Sequence, residues 1–234
     1  MSAPQTPQPP RTPSVIFDLD GTLVDSEPNY FEAGRRLLTE YGVTGFTWEE
    51  HTRFIGIGTR ETLEVLIREH GIDAPVEELL EGKNRHYLAL ASASTEAFPR
   101  MRAFAGALHA AGVRTAVASG SSREAIEAVL GATGLAPLMG TVVSAEEVAH
   151  GKPEPDVFLE AARRLGADPG DCVVVEDAPP GAEAAHRAGM RCIAVPYVPG
   201  TAGDPAFARV GLLFPGGQGE FDAGAAFDWV TRAS

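Results

Sequence analysis

The sequence predicts an α/β protein: a doubly wound parallel sheet with a small α-helical unit inserted after its first strand. Over most of the chain, short runs rich in β-branched residues alternate with stretches of helical periodicity, which is typical of parallel sheets whose strands are joined by helices. Between about residues 27 and 97 the alternation stops, and helical patterns follow one another with no credible strand. At 234 residues the chain is long enough for a core and such an insertion.

The runs expected to form the sheet are, in chain order, SVIFD, RTAVAS, GTVVS, CVVVED, CIAVP and VGLLF. Glycines that end helical patterns are expected to adopt left-handed C-terminal caps: Gly42, Gly71, Gly112, Gly166 and Gly189. Ser121, with Glu124 three residues later, is predicted to cap the helix after RTAVAS. A last short helix is predicted at residues 223–232.

The insertion contains predicted helices with the sequences NYFEAGRRLLTEYG, RETLEVLIREHG and VEELLEGKNRHYLALAS. The chain is therefore expected to leave the sheet after the first strand and to return near Pro99. We divide it into an α/β core (residues 14–26 and 98–234), a helical insertion (residues 27–97) and a proline-rich tail (residues 1–13) that is expected to be disordered.

The overall charge restricts the partners. A net charge of −13 argues against nucleic acid and anionic membranes, which are themselves negative. No segment approaches the roughly 20 apolar residues of a membrane helix, and the N-terminus lacks the apolar stretch of a secretory signal. Cys172 and Cys192 lie in apolar strand-like runs and are expected to be buried and reduced. We expect a cytoplasmic monomer whose partner is a small molecule.

Polar residues follow several predicted strands at the edge where ligands bind in open parallel sheets. This set, completed by a lysine from the loop HGKPEPD, comprises Asp18, Asp20, Ser119, Gly120, Lys152, Glu176 and Asp177. Four converging carboxylates would raise one another's pKa values unless a cation were present. Carboxylate and carbonyl oxygens suit a hard divalent ion, and we expect Mg²⁺.

A site with Mg²⁺, a lysine, a hydroxyl and free backbone N–H groups suits a phosphate group. A carboxylate such as Asp18 can attack phosphorus and form an aspartyl-phosphate. Asp20 lies two residues along an extended segment and can face the same cavity, where it can protonate the leaving oxygen and later activate water. Taken alone, the two aspartates could instead bind a structural metal or cap a turn, and Asp177 could also cap the helix that follows it.

The motifs DLDGT, a hydroxyl residue after the second strand, GKPEPD and VVVEDAPPG occur in this order. Together they resemble the four motifs of the haloacid-dehalogenase-like (HAD) superfamily, in the branch that includes β-phosphoglucomutase and small sugar-phosphate phosphatases. The resemblance covers nearly the whole chain, and the helical insertion corresponds to the cap domain of that branch.

The resemblance implies that Asp18 is the nucleophile and Asp20 the general acid and base. It implies that Mg²⁺ is held by Asp18, the Asp20 backbone carbonyl and Asp177, with Glu176 a direct or water-mediated ligand. It also implies that Ser119, Gly120 and Lys152 hold the transferring phosphoryl group. Aspartate at both positions 18 and 20 favours phosphoryl chemistry over dehalogenation.

Specificity is expected from the cap, where the candidate substrate contacts are Asn29, Tyr30, Arg53, Gly56, Thr59 and Arg60. Residues of this kind are more often surface or packing residues. Tyr30 stands where the resembling mutase has a histidine. Thr59 aligns where an arginine is expected, and Arg60 comes one position late, which on a helix turns a side chain by about 100°. These departures disfavour a mutase.

The function expected from the sequence is a magnesium-dependent phosphatase that hydrolyses a small phosphorylated metabolite, such as a sugar phosphate, through an aspartyl-phosphate. One alternative is a hexose-phosphate mutase similar to β-phosphoglucomutase. Another is a catalytically inert HAD-like binding module, against which the retention of Asp18, Asp20, Lys152 and Asp177 argues.

Overall fold

The computed structural model describes residues 13–232, apart from the side chain of Ser92. The tail predicted to be disordered, residues 1–13, lies outside this range except for Pro13, which is buried. The strands are β1 (Ser14–Phe17), β2 (Val24–Asp25), β3 (Glu96–Ala97), β4 (Arg114–Ser119), β5 (Thr141–Ser144), β6 (Cys172–Glu176), β7 (Arg191–Ala194) and β8 (Leu212–Leu213). The helices are α1 (Glu27–Glu40), α2 (Trp48–Thr52), α3 (Thr59–His70), α4 (Val76–Ser94), α5 (Pro99–Ala110), α6 (Arg123–Thr133), α7 (Asp156–Leu165), α8 (Pro179–Arg187) and α9 (Ala223–Arg232).

The main sheet has the strand order β5-β4-β1-β6-β7-β8, and all its neighbouring strands run parallel. Strand β1 lies near the middle, so that Phe17 pairs with Val117 of β4 on one side and with Val175 of β6 on the other. Five of the six predicted runs contain one of these strands, and β7 begins one residue before the remaining run, CIAVP. The predicted fold class, an α/β protein with a parallel sheet, is confirmed.

Side chains of the strands alternate between two apolar layers, as expected for a sheet covered on both faces. Val15 and Phe17 belong to a buried cluster with residues of α5, α6 and α9. Ile16, between them, belongs to a second cluster with residues of α7 and α8. Burial on both sides holds the carboxyl end of β1 firmly, and that end carries the candidate site.

Helices α1 to α4 form the insertion. Its residues Leu37, Leu38, Phe46, Phe54, Leu63, Leu66, Ile72 and Leu79 form a third buried cluster, separate from those of the sheet. Tyr87 and Ala91 of α4 join the core cluster instead, so the insertion also packs on the sheet domain. These contacts fit a cap, but its boundaries as a domain stay a prediction.

Two details of the insertion differ from the expectation. The sequence indicated no strand between residues 27 and 97, yet β3 pairs with β2 as a two-residue antiparallel ladder where the chain leaves and re-enters the core. Such a ladder is too short to give a periodic signal. Helix α2 was also not predicted, although Thr47 and Glu50 form a capping box at its start.

The predicted glycine caps are all left-handed, with φ between 63° and 77° at Gly42, Gly71, Gly112, Gly166 and Gly189. The cap of α6 is Ser122 rather than Ser121, because the Ser122 hydroxyl accepts a hydrogen bond from the Ala125 N–H at 3.2 Å. The prediction for Ser121 was wrong because its hydroxyl is engaged elsewhere. Cys172 and Cys192 are buried free thiols, as expected.

Within residues 13–232, none of the helices is both long and apolar enough to cross a membrane. Cellular location and oligomeric state stay predictions.

Candidate active site

The carboxyl edge of the sheet and the inserted helices enclose a cavity of about 640 Å³. Asp18 follows β1 directly and Glu176 ends β6, and the register of these two parallel strands brings the residues to the same edge. Asp18, Asp20, Gly120, Lys152, Glu176 and Asp177 all line the cavity. The structure therefore brings together most of the predicted core residues.

A buried ion pair lies at the floor of this cavity. The Lys152 ammonium donates to Asp18 Oδ1 at 2.5 Å and to Glu176 Oε1 at 2.7 Å, and its side chain is only 6% exposed. Burial raises the pKa of Asp18 to about 8, against the opposing effect of the Lys152 charge. Burial alone would lower the pKa of Lys152, but the two carboxylates raise it above its ordinary value. Lys152 is thus a permanent cation beside the predicted nucleophile.

Glu176 has both carboxylate oxygens engaged. Oε1 accepts from Lys152, and Oε2 accepts from the backbone N–H groups of Asp177 and Ala178 at 2.8 Å each. A Cβ on Gly181 would lie 1.7 Å from Oε1, so only glycine leaves room for this carboxylate. Glu176 orients the lysine and the turn before α8, which favours a water-mediated role over direct metal ligation.

Asp18, Glu176 and Asp177 form a buried acidic cluster in which one carboxylate oxygen from each lies within 4.8 Å of the others. Asp177 Oδ1 accepts from the Thr22 hydroxyl at 3.0 Å, whereas Oδ2 is buried and has no hydrogen-bond partner among the described residues. Burial and the neighbouring carboxylates raise the pKa of Asp177 well above its usual range. A buried, unpartnered carboxylate oxygen in an all-oxygen cluster is what a hard cation requires, so the residues fit a metal ion.

Asp20 is held by hydroxyl groups. Its Oδ1 accepts from Ser26 at 2.6 Å, and its Oδ2 accepts from Ser121 at 2.6 Å and from Ser119 at 3.0 Å. Ser119 is fully buried, and its hydroxyl oxygen also accepts from the Ser121 N–H. Unlike the predicted phosphate contacts Gly120 and Lys152, Ser119 therefore does not line the cavity but lies behind its wall. Ser121, which the sequence reading assigned to helix capping, lines the cavity instead.

On the cap side, Tyr30, Gly56, Thr59 and Arg60 line the cavity. Tyr30 stacks on Tyr87 with ring centroids 4.0 Å apart. Gly56 has φ of +82°, and a Cβ there would lie 2.4 Å from Cβ of Ala178, the residue after Asp177. The loop at Gly56 therefore rests directly on the core.

The cavity lining does not include the other two predicted cap contacts. Asn29 is buried, where its side-chain amide donates to Thr95 and accepts from Ser94 at 2.9 Å each, which ties the start of α1 to the end of α4. Arg53 is exposed and paired with Glu69 at 2.7 Å. Arg60, although it lines the cavity, is paired with Glu77 at 3.1 Å.

Among the cavity residues that the sequence reading missed are four buried polar ones, Glu27, His51, Lys83 and Tyr87. One signal could have indicated Lys83, because the chain contains just two lysines, Lys83 and Lys152, beside 17 arginines. The others carry no local signature, since their meeting depends on the packing of α1, α2 and α4.

The fold and the site together define an α/β enzyme. Its buried cluster of carboxylates, which could hold a metal ion, lies beside a lysine at the carboxyl edge of a parallel sheet. The model of the haloacid dehalogenase-like hydrolases matches residues 13–189, and the chain belongs to this family.

Individual relatives agree with this assignment. The chain is 35% identical over 194 residues to a bifunctional riboflavin kinase/FMN phosphatase of Arabidopsis thaliana, a match that covers 79% of this chain and 48% of that protein, so the match spans about half of that relative. It is 34% identical over 186 residues to the fructose-1-phosphate phosphatase YqaB of Escherichia coli (79% of this chain, 97% of that one). It is 32% identical over 189 residues to the β-phosphoglucomutase of Bacillus subtilis (78% and 82%).

Among solved structures, CbbY from Rhodobacter sphaeroides in complex with phosphate superposes with a TM-score of 0.78 at 27% identity, and the match covers 87% of this chain and 93% of that one. The similarity of fold thus extends over core and insertion.

Proposed function

We propose that the protein is a magnesium-dependent phosphatase that hydrolyses a small phosphorylated metabolite, a sugar phosphate or a related ester, through an aspartyl-phosphate. The observation that carries the proposal is the buried contact of Lys152 with Asp18, next to the unpartnered oxygen of Asp177. A lysine with a fixed charge stabilises both the carboxylate nucleophile and the equatorial phosphoryl oxygens.

In the first step, Asp18 attacks phosphorus while the bond to the leaving oxygen breaks, and Asp20 gives that oxygen a proton. In the second step, Asp20 takes a proton from a water molecule that attacks the aspartyl-phosphate, and this releases inorganic phosphate and restores Asp18. The three hydroxyl donors to Asp20 keep it positioned for both transfers.

Asp18, Asp177 and the Asp20 backbone carbonyl would hold Mg²⁺. When bound, the ion neutralises the charge that develops on the phosphoryl oxygens. Gly120 and the Ser121 hydroxyl lie along the cavity wall where the phosphoryl group would be held, together with Lys152.

The relatives that are named as phosphatases support hydrolysis. The relative that is named as a mutase supports the alternative, in which the phosphoryl group is transferred back to a sugar. A mutase must bind a second phosphate at the cap. The ion pair of Arg60 with Glu77 and the threonine at position 59 disfavour this alternative.

The test is phosphate release from a panel of phosphorylated sugars, polyols and nucleotides with Mg²⁺, with a chelator as control. Magnesium-dependent release supports the phosphatase. Interconversion of glucose 1-phosphate and glucose 6-phosphate with a bisphosphate activator, without net release, would establish the mutase. Inactivity in both assays would favour the inert binding module.

A further inference from the structure

The turn that follows Asp20 places two residues against the proposed metal ligand Asp177. The Thr22 hydroxyl donates to Asp177 Oδ1 at 3.0 Å. Gly21 has φ of +79°, and a Cβ there would lie 2.6 Å from Asp177 Oδ2, the buried oxygen that has no hydrogen-bond partner among the described residues. The position of the turn therefore controls the orientation of both carboxylate oxygens of Asp177.

The turn leaves two of its own carbonyl groups without a backbone partner. Gly21 and Thr22 are buried, so their carbonyl oxygens need a hydrogen bond. In the described part of the chain, no backbone N–H group donates to either oxygen. One side chain binds both of them: the Gln218 amide nitrogen donates to Thr22 O at 3.0 Å and to Gly21 O at 3.3 Å. The turn is thus fixed by a residue 196 positions after Thr22.

The amide group of Gln218 is oriented by these two bonds. Its Oε1 is buried and has no hydrogen-bond partner among the residues that the structure describes, and an unpaired buried acceptor is unfavourable. The opposite orientation would place this oxygen against two carbonyl oxygens, which are acceptors as well. An apolar side chain would fill the same space without an unpaired oxygen. The function of the amide is therefore its contact with the turn.

Residues 214–221, which we call the C-terminal clamp, hold Gln218 in place. Phe214 and Phe221, at the two ends of the clamp, are buried, and their ring centroids lie 5.1 Å apart. The Phe221 ring contacts Phe104, and Phe104 contacts Phe17, with 5.8 Å between centroids in each pair. Because Phe17 is the last residue of β1, the clamp packs on the strand that carries the proposed nucleophile.

The clamp is also attached to α5. Arg100 donates to Gly219 O at 2.8 Å and to Phe221 O at 3.1 Å. These bonds reach the backbone on the side of Gln218 that is not held by Phe214. The amide is therefore presented to the turn from a segment that is fixed to a strand and to a helix of the core.

We propose that Gln218 is a positioning residue of the metal site: it fixes the turn of Gly21 and Thr22, and this turn orients the carboxylate of Asp177 for Mg²⁺. The inference rests on the proposed function, in which Asp177 holds the ion, and it adds the C-terminal clamp to the site. Residues that orient a metal ligand typically change metal affinity by about 10- to 100-fold when they are replaced.

The first experiment measures the dissociation constant of Mg²⁺ by titration calorimetry without substrate. Gln218→Met keeps the length of the side chain and removes both hydrogen bonds and the unpaired oxygen. It should raise the dissociation constant by about 10-fold. In activity assays, the variant should need more Mg²⁺ than the wild type and should recover most of its kcat when Mg²⁺ is saturating.

Arg114→Met is the matched control. Arg114 also donates to two consecutive backbone carbonyl groups, those of Leu165 and Gly166, but it lies at the start of β4, at the edge of the sheet opposite the site. Its replacement should leave the Mg²⁺ affinity unchanged. Equal affinities in the wild type and in Gln218→Met would overturn the proposal.

A double-mutant cycle distinguishes positioning from a general effect on stability. Thr22→Val removes the hydroxyl through which the turn contacts Asp177. Gln218→Met should therefore weaken Mg²⁺ binding by a smaller factor in Thr22→Val than in the wild type, because the two residues act on the same carboxylate. Equal factors in the two backgrounds would show that Gln218 does not act through the turn, and would overturn the proposal.

Amide hydrogen exchange without metal separates this inference from the proposed function. The N–H groups of Leu23 and Val24 donate to Leu19 O within the turn. Gln218→Met should speed their exchange by about 10-fold, whereas Arg114→Met should not. Faster exchange with an unchanged Mg²⁺ affinity would overturn the positioning role and leave the phosphatase intact. A wild type that bound no Mg²⁺ would reject the magnesium-dependent phosphatase, and this inference with it.

Discussion

The hydroxyl groups of Tyr30 and Ser121 lie 2.5 Å apart, and the Ser121 oxygen lies 2.6 Å from Asp20 Oδ2. Tyr30 belongs to α1 of the insertion, whereas Ser121 follows β4 of the core. The proposed acid and base is therefore connected to the cap by a chain of two hydroxyls. Burial and the charge of Asp20 raise the pKa of Tyr30 well above its usual range, so the phenol stays protonated and remains a donor.

Tyr30→Phe should lower kcat by about 3- to 10-fold with a smaller change in KM, because it removes one hydrogen bond behind Asp20 while it keeps the stacked ring. Ser121→Ala, which removes a direct contact to Asp20, should lower kcat further. Steady-state kinetics over a pH range measures both. Tyr41→Phe is the control, since its hydroxyl bonds to Glu78 on the exposed face. A change in KM alone would contradict the proposed link.

Asp18→Asn should abolish nearly all turnover, by at least about 10³-fold, because the amide is a poor nucleophile at phosphorus. The fold should persist, since the substitution is nearly isosteric and Lys152 keeps its ion pair with Glu176. Phosphate release and circular dichroism together check this. The exposed Asp73, in the loop after α3, supplies the control variant Asp73→Asn. Retained turnover in Asp18→Asn would exclude the aspartyl-phosphate.

Mg²⁺ should raise the melting temperature, because an ion that binds the acidic cluster stabilises the folded state by mass action. At about 100 times the dissociation constant the gain is about 2.7 kcal/mol, or roughly 5–10 °C for a protein of this size. Asp177→Asn should lose most of this shift, because the unpartnered Oδ2 is no longer a carboxylate oxygen. A full shift in this variant would show that Mg²⁺ binds at another place.

Gly56→Ala should impair the seating of the cap loop on the core. Its left-handed backbone and the 2.4 Å separation from Ala178 Cβ leave no space for a side chain. We expect KM to rise by about 10-fold and kcat to fall, because Ala178 adjoins the proposed metal ligand Asp177. Gly45→Ala is the control: Gly45 also has a left-handed backbone, with φ of +97°, but a Cβ there would have no atom within 4 Å. This variant therefore has the backbone strain without the steric clash. Equal kcat and KM values in the two variants would show that the contact of the Gly56 loop with the core is not needed for catalysis.

The core half of the site could be predicted because its residues follow strands directly. Asp18 and Asp177 follow β1 and β6, and the parallel pairing of these two strands places both residues at the same edge of the sheet. Lys152 lies in a short loop motif. The cap half depends on contacts between distant segments. The sequence predicted Asn29 as a substrate contact, but its side-chain amide forms hydrogen bonds with Ser94 and Thr95, which are more than 60 positions away. The spacing of Ser121 to Glu124 favoured Ser121 as the cap of α6, but its hydroxyl donates to Asp20, and the neighbouring Ser122 caps the helix instead.

The cost of burying Lys83 provides the last prediction. Its pKa is lowered from 10.5 to about 8, chiefly by burial, so the protonated folded state is disfavoured relative to the unfolded chain. Lys83→Met should therefore stabilise the protein at pH 7, by up to about 3 kcal/mol. A lysine retained for structure would give the opposite sign, because its removal would destabilise the fold.

The pH dependence makes this prediction specific. Below about pH 8 the lysine is protonated in both states, and the advantage of Lys83→Met is complete. Between about pH 8 and the ordinary value of 10.5, folding releases a proton from the wild type, so wild-type stability rises relative to the variant. Urea unfolding of both proteins from pH 6 to 10.5 measures the difference, with Arg85→Met as the reference for an exposed charge. A difference that stayed constant across this range, or that grew with pH, would mean that Lys83 does not titrate as a buried cation.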